Sequence, residues 1–297
     1  MTVGVVLMTY GAPTDLADVA AYVGRVRHGT PPSADLIAEM RTRYERIGGS
    51  PLVSITRAQA AALERELGPG FRVRAGMRFS EPRIDVAVAE VVEQSCARVV
   101  GLCLSPQWSP LLMGGYERAV GAAIATHSSG TPYAMIGAWH RTPQFIDVLA
   151  TNLRCALATL PSDVPVLLTA HSLPRRVFEA EQDYIAQLRE TADLVAARAD
   201  LPDGQWTWAY QSAGHTAEEW LRPDLKELFP ALAAAGHHDV LVAPVQFLAD
   251  HLEVLYDLDV AARAEAEGNG LAYHRVPMPN ADPAFIAALA ALVRSLD

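Results

Sequence analysis

Two successive runs of alternating strands and helices predict an α/β protein. Its expected form is two Rossmann-like lobes, each a roughly four-stranded parallel sheet flanked by helices. Three observations carry this prediction. Short apolar runs recur as strands, and each is followed by a segment with helical apolar spacing. A second set of about four such units then follows the turn sequence Leu160-Pro161-Ser162-Asp163. The expected boundaries are residues 1–160 for an N-terminal lobe, 161–280 for a C-terminal lobe, and 281–297 for a terminal helix.

In chain order, Val3–Met8 is the first apolar strand, and Thr9–Pro13 is a loop. Helices are expected over Leu16–Val26, Ala34–Ile47 and Ile55–Leu67. Pro31-Pro32 separates the first two, and Gly48-Gly49-Ser50-Pro51 the second and third, because Gly caps a helix and Pro forbids its continuation. Regular alternation then begins. Strands Arg72–Met77, Arg98–Leu104 and Tyr133–Ile136 alternate with helices Ile84–Ser95, Tyr116–Ala125 and Pro143–Ala158. Ser105–Gly115, rich in Pro and Gly, reads as a loop. The second set places strands at Pro165–Ala170, Trp206–Tyr210, Asp239–Pro244 and Leu271–Val276. Its helices lie near Tyr184–Ala199, Leu225–Ala235, His251–Glu267 and Pro283–Leu296.

The 297 residues carry a formal net charge of −10, which argues against nucleic acid as the main partner. No stretch approaches the roughly 18 apolar residues of a membrane span. The N-terminus lacks the basic segment of a signal peptide, so a cytoplasmic location is expected. The cysteines, Cys96, Cys103 and Cys155, show no CxxC spacing and read as reduced core residues. A cluster normally needs about four, so no iron–sulfur cluster is expected. No GxGxxG or GxxxxGK[ST] follows a strand, and dinucleotide and P-loop readings therefore lack support. Trp206 and Trp208 alternate on a strand and suit packing; His237 and His238 suit an exposed turn; His215 suits a helix cap.

Two stretches carry candidate chemistry. In Phe247–Asp259, Leu252, Leu255 and Tyr256 form an apolar helical stripe, while Asp250, Glu253 and Asp257 at i, i+3 and i+7 share another face. Such a row suits a divalent cation, although a solvated face with Asp250 as helix cap accounts for it equally well. Val166–Pro174 is an apolar strand that ends on His171. Ligands of open α/β sheets bind beyond the C-terminal ends of strands, where both stretches deliver polar groups. Imidazole and carboxylate together can bind a metal ion and take up protons.

Several motifs then occur in a recognisable order: Tyr10-Gly11-Ala12-Pro13, Arg43 to Leu52, His171-Ser172-Leu173-Pro174, Tyr210-Gln211-Ser212 with Trp220-Leu221 and Pro223, Asp250-His251-Leu252-Glu253, and Met278-Pro279-Asn280-Ala281. On these the chain resembles the ferrochelatases, which insert ferrous iron into a porphyrin, from Val3 to the C-terminal helix. The resemblance implies two Rossmann-like lobes with the porphyrin in the cleft, and a C-terminal segment packed back on the first lobe. It implies that His171 and Glu253 receive iron and accept pyrrole protons. Tyr10, in place of Met, resembles the coproporphyrin III branch of Gram-positive bacteria, as does the short Pro13–Ile47 stretch. Arg27, Arg43, Tyr44, Ser50 and Tyr116 match positions near the macrocycle or its carboxylates. Bidentate Arg–carboxylate pairing fits a substrate with four propionates.

Three positions and one loop length depart from the family pattern. Gln107 stands where relatives often carry His, His28 where a second Arg is common, and Ala261 where Gram-positive relatives continue an acidic ridge. The Gly-Gly-Ser-Pro loop is one residue short. The implied product is iron-coproporphyrin III in haem biosynthesis, with iron as substrate and no resident cofactor. The partners implied are coproporphyrin III, ferrous iron and a transient contact with the next haem-pathway enzyme, for a monomeric protein. A protoporphyrin IX ferrochelatase, a chelatase for another metal or tetrapyrrole, and a non-catalytic tetrapyrrole- or metal-binding protein are the alternatives.

Overall fold

The computed structural model describes residues 2–128, 130–214 and 218–296. The first strand, β1 (Val3–Thr9), is buried along its whole length, as a strand covered on both faces must be. Helices α1 (Val19–Val26), α2 (Ala34–Arg46) and α3 (Leu52–Leu67) follow, then β2 (Phe71–Met77), α4 (Ile84–Glu93), β3 (Arg98–Cys103), α5 (Pro110–His127), β4 (Tyr133–Ile136) and α6 (Pro143–Leu157). The strands form a parallel sheet in the order β2-β1-β3-β4. The second half comprises β5 (Val166–His171), α7 (Arg175–Ala180), α8 (Gln182–Arg198), β6 (Trp206–Gln211), α9 (Leu225–Ala234), β7 (Asp239–Pro244), α10 (Leu252–Leu255), α11 (Arg263–Gly268), β8 (Ala272–Arg275) and α12 (Pro283–Arg294). Its parallel sheet runs β6-β5-β7-β8, the same order as the first.

The two sheets are those the alternation predicts. In each, the chain turns one way from the first strand and then the other, so a crevice opens at the carboxyl ends of β1 and β3 and of β5 and β7. Tyr10 directly follows β1, and His171 closes β5. One apolar cluster joins the sheets: Leu7 and Leu102 of the first pack in it with Leu168 and Tyr210 of the second, and with Phe285 and Leu289 of α12. Helix α12 itself lies on α3 and α6.

Some elements differ from expectation. Helix α3 begins at Leu52, a turn early, behind Pro51. Helix α5 begins at Pro110, inside the expected loop: Pro fits the first helical turn, and the Ser109 hydroxyl accepts a hydrogen bond from the Leu112 N–H. The short α7 was not expected. The expected helix His251–Glu267 is broken into one α turn, a π-helical segment at Asp257–Ala262, and α11. Cys96 and Cys103 are buried, but Cys155 is exposed on α6 and is no core residue. His215 lies outside the described residues.

Candidate active site

The strand ends position the site. After β1, Gly11 takes φ +94°, and a Cβ there would collide with the Ser80 side chain. The Tyr22 hydroxyl donates to the Gly11 carbonyl at 2.9 Å. This pins the turn that presents Tyr10, whose ring packs 4.6 Å from Phe79. At the end of β5, the His171 backbone N–H donates to Gln246 Oε1 at 2.8 Å, and Gln246 Nε2 donates to the Tyr184 hydroxyl at 2.9 Å. The strand end is thereby tied to the segment that follows β7.

That segment carries Glu253 between two imidazoles, with His171 Nε2 3.7 Å from one carboxylate oxygen and His251 Nε2 3.5 Å from the other. His171 Nδ1 contacts the Ser172 carbonyl, and His251 Nδ1 lies 3.0 Å from the Ala249 carbonyl. A carbonyl only accepts, so each Nδ1 carries the hydrogen. Each ring then turns its Nε2 toward Glu253.

A cavity of about 620 Å³ opens here, within the usual range for a small-molecule site. Tyr10, Tyr44, Ser50, Tyr116, His171 and Glu253 all line it, together with His251 and the apolar Val26, Met40, Leu111 and Met113. Arg27 and Arg43 do not. Arg27 is exposed at the end of α1, between the lining residues Val26 and His28. Arg43 pairs with Glu39 at 2.6 Å and with Asp257 at 3.3 Å, and its guanidinium lies over the Tyr256 ring. Arg78 is the only Arg or Lys side chain among the described lining residues. Its guanidinium stacks near Phe79 and Tyr116, and Gly115 makes room because a Cβ there would collide with it.

The three carboxylates expected on one face are separated. Asp250 precedes α10 and does not cap it; the N-cap is His251 in extended conformation. The Asp250 carboxylate accepts from Asn280 Nδ2 at 2.8 Å. Asp257 starts the π-helical segment and turns to Arg43. Glu253 alone of the three lines the cavity.

Electrostatics follow from these neighbours. Burial pushes the Glu253 carboxyl up, but His171 and then His251 outweigh it and hold the group down at about 2. Burial raises Tyr10, reinforced by the Glu253 charge and opposed by Arg78. Burial likewise raises Tyr22, Tyr44 and Tyr116, so these phenols stay protonated at neutral pH. The Cys103 thiol also lines the cavity, but burial pushes it up to about 12, which leaves it a poor metal ligand.

Comparison with known proteins decides the family. A family model described as Ferrochelatase matches residues 2–296. The chain belongs to the ferrochelatase family. A ferrochelatase of Deinococcus radiodurans is 37% identical over 98% of this chain and 94% of its own length. A coproporphyrin III ferrochelatase of a Geobacillus species is 37% identical over 98% and 96%. The solved structure titled SirB from Bacillus subtilis with Fe3+ shares the fold, with a TM-score of 0.59 at 11% identity over 99% of this chain and 95% of that one. This ferrochelatase is therefore an enzyme of haem biosynthesis, and its substrates are a porphyrin and iron. Among its described residues, no helix is long and apolar enough to cross a membrane.

Sequence reasoning missed three residues of this ferrochelatase site. His251 sat unremarked inside a motif, Arg78 follows a strand as an ordinary basic residue, and Gln246 bears no charge. The position of Arg78 just past a strand's C-terminal end was the available signal.

Proposed function

We propose that this ferrochelatase inserts ferrous iron into coproporphyrin III, giving iron-coproporphyrin III and two protons. The carrying observation is the Glu253 carboxylate set between the Nε2 atoms of His171 and His251 in the cavity wall. His171 and Glu253 are the catalytic pair that receives the metal. A hard carboxylate and an imidazole both suit ferrous iron, and two protein donors leave its other positions open to pyrrole nitrogens. The carboxylate stays ionised at neutral pH and offsets the charge of the incoming ion. The macrocycle loses two N–H protons as the metal enters, and each imidazole can accept one at Nε2. An Nε2 that holds a proton cannot also hold iron, so the ligand and base roles fall to different rings or different moments. Iron is a substrate here, and no resident cofactor or iron–sulfur cluster is required.

Tyr10, Tyr44, Ser50 and Tyr116 are assigned to binding the macrocycle, and Arg27 and Arg43 to its carboxylates near the rim. The coproporphyrin reading is supported by Tyr10 and by relatives such as the Geobacillus enzyme. The Deinococcus relative is named only as a ferrochelatase, which makes protoporphyrin IX the second substrate to test. The protein acts in the cytoplasm as a monomer and meets the next haem-pathway enzyme transiently. In anaerobic assays with ferrous iron, kcat/KM for coproporphyrin III exceeds that for protoporphyrin IX by at least about tenfold, a difference of about 1.4 kcal/mol in transition-state binding. Equal values, or a preference for protoporphyrin IX, overturn the assignment of substrate.

A further inference from the structure

The turn that carries His251 and Glu253 opens a helical stretch whose first end lacks a side-chain cap. Helix α10 is a single turn of four residues with no side-chain cap. It runs on into the π-helical segment, so its C-terminal side is held, whereas the direction of its uncapped N-terminal end at His251 is set by the residues that precede it. Leu252 packs against Tyr22 and Tyr44 of the first lobe, and the residue that precedes His251 is hydrogen-bonded by Asn280. Its Oδ1 accepts from the Asp250 backbone N–H at 2.9 Å, and its Nδ2 donates to Asp250 Oδ2 at 2.8 Å. Its own N–H donates to the Leu248 carbonyl at 2.9 Å. Asn280 makes these contacts from the left-handed region, at φ +47°, which Asn tolerates better than most residues.

Asn280 is in turn held from the first lobe. Its carbonyl accepts from Gln59 Nε2 at 2.7 Å, and Gln59 is fully buried on α3. Gln59 has little else to do there, since its Oε1 is buried without a hydrogen-bond partner. A continuous chain of contacts therefore runs from α3, through Asn280, to the residue that precedes His251.

We propose that Asn280 is a positioning residue of the metal site: gripped by Gln59 and gripping Asp250, it fixes His251 and Glu253 in the cavity wall and so sets affinity for the divalent metal ion. The inference deepens the function proposed above and rests on that reading of the cavity. It makes no claim on porphyrin affinity.

The test uses Asn280→Gly, which removes the amide and keeps the left-handed backbone unstrained. Cobalt(II) is the direct probe, titrated against the intact protein and followed by its visible absorption, with porphyrin binding measured separately by fluorescence quenching. Removing a contact that orients metal ligands costs about 10- to 100-fold in metal affinity. Asn280→Gly is expected to weaken cobalt(II) by that factor, to raise KM for ferrous iron in step, and to leave porphyrin Kd within about twofold. Gln59→Leu removes one hydrogen bond and one unpartnered oxygen together, so it folds and still weakens the metal severalfold. In the double variant, Gln59→Leu adds nothing to Asn280→Gly, because the grip it supports is already gone. Unchanged cobalt(II) affinity in Asn280→Gly, no cobalt(II) binding by the wild type, or equal losses for metal and porphyrin overturn the inference. Absence of iron insertion by a wild type that binds cobalt(II) through Asn280 overturns the proposed function and leaves the inference standing.

Discussion

Glu253 holds its charge because two imidazoles flank it. That arrangement has a pH consequence with a definite sign. The folded carboxyl lies at about 2, below the unfolded value near 4.3, so its ionised form favours the folded state. This contribution is complete above about pH 4.3 and is lost as pH falls toward about 2. Glu253→Gln lacks it. The stability gap between wild type and Glu253→Gln, read from urea midpoints, is therefore expected to narrow between about pH 4.5 and pH 3. A gap that widens on acidification contradicts the assignment. At this scale the sequence was partly legible. His171 drew notice because it ends an apolar strand, while Glu253 shared its expected helical face with Asp250 and Asp257 and was set apart by the family motif. His251 could not be singled out, because nothing local says that its Nδ1 bonds the Ala249 carbonyl and frees its Nε2. Arg43 could be named as a cation, but its pairing with Asp257, 214 residues away, is a tertiary fact.

Helix α5 shows how an element can serve the site without supplying a catalytic group. Gly115 is a helix-interior glycine, and Ala in such a place normally stabilises by about 1 kcal/mol. Here the added methyl would meet the Arg78 guanidinium, the free end of a flexible side chain. Gly115→Ala is expected to fold at least as stably as the wild type while displacing Arg78 from beside Tyr116. Porphyrin Kd should rise severalfold, checked by fluorescence quenching beside a thermal melt. Unchanged binding would show that the position of Arg78 is immaterial. The strands were the most legible elements, because buried parallel strands are written as unbroken apolar runs such as Val3–Met8. Helix starts were less so: Pro110 reads as a loop residue until Ser109 is seen capping the turn that it opens. The π-helical segment was hidden, since its sequence continues the apolar helical stripe and its extra residue per turn appears only in the hydrogen bonds.

The two sheets behave as one body because their cores merge. Phe285 on α12 is fully buried in the cluster that contains strand residues of both sheets. The loop after β3 adds polar ties to α8: Gln107 Nε2 donates to Thr191 Oγ1 at 2.9 Å, and the Trp108 N–H donates to Gln187 Oε1 at 2.8 Å. Gln107 thus serves as a buried brace between the halves. Phe285→Ala is expected to cost about 3–5 kcal/mol, as a cavity in a shared core does. Tryptophan fluorescence and far-ultraviolet circular dichroism should then shift together, in one transition. Two resolved transitions would mean that the halves unfold separately. Two parallel sheets of about four strands were legible from the alternation, whereas their strand order and the merging of the two cores depend on contacts that no local pattern encodes.

The central claim is that the cavity between the sheets inserts iron by means of the His171–Glu253 pair. Its most direct test is an anaerobic single turnover with coproporphyrin III and ferrous iron, comparing wild type with His171→Ala. The account predicts near-equal porphyrin binding by both, rapid loss of free-porphyrin absorption in the wild type, and a rate at least about 100-fold lower in the variant, as for loss of a general base. Insertion by His171→Ala at the wild-type rate would contradict it.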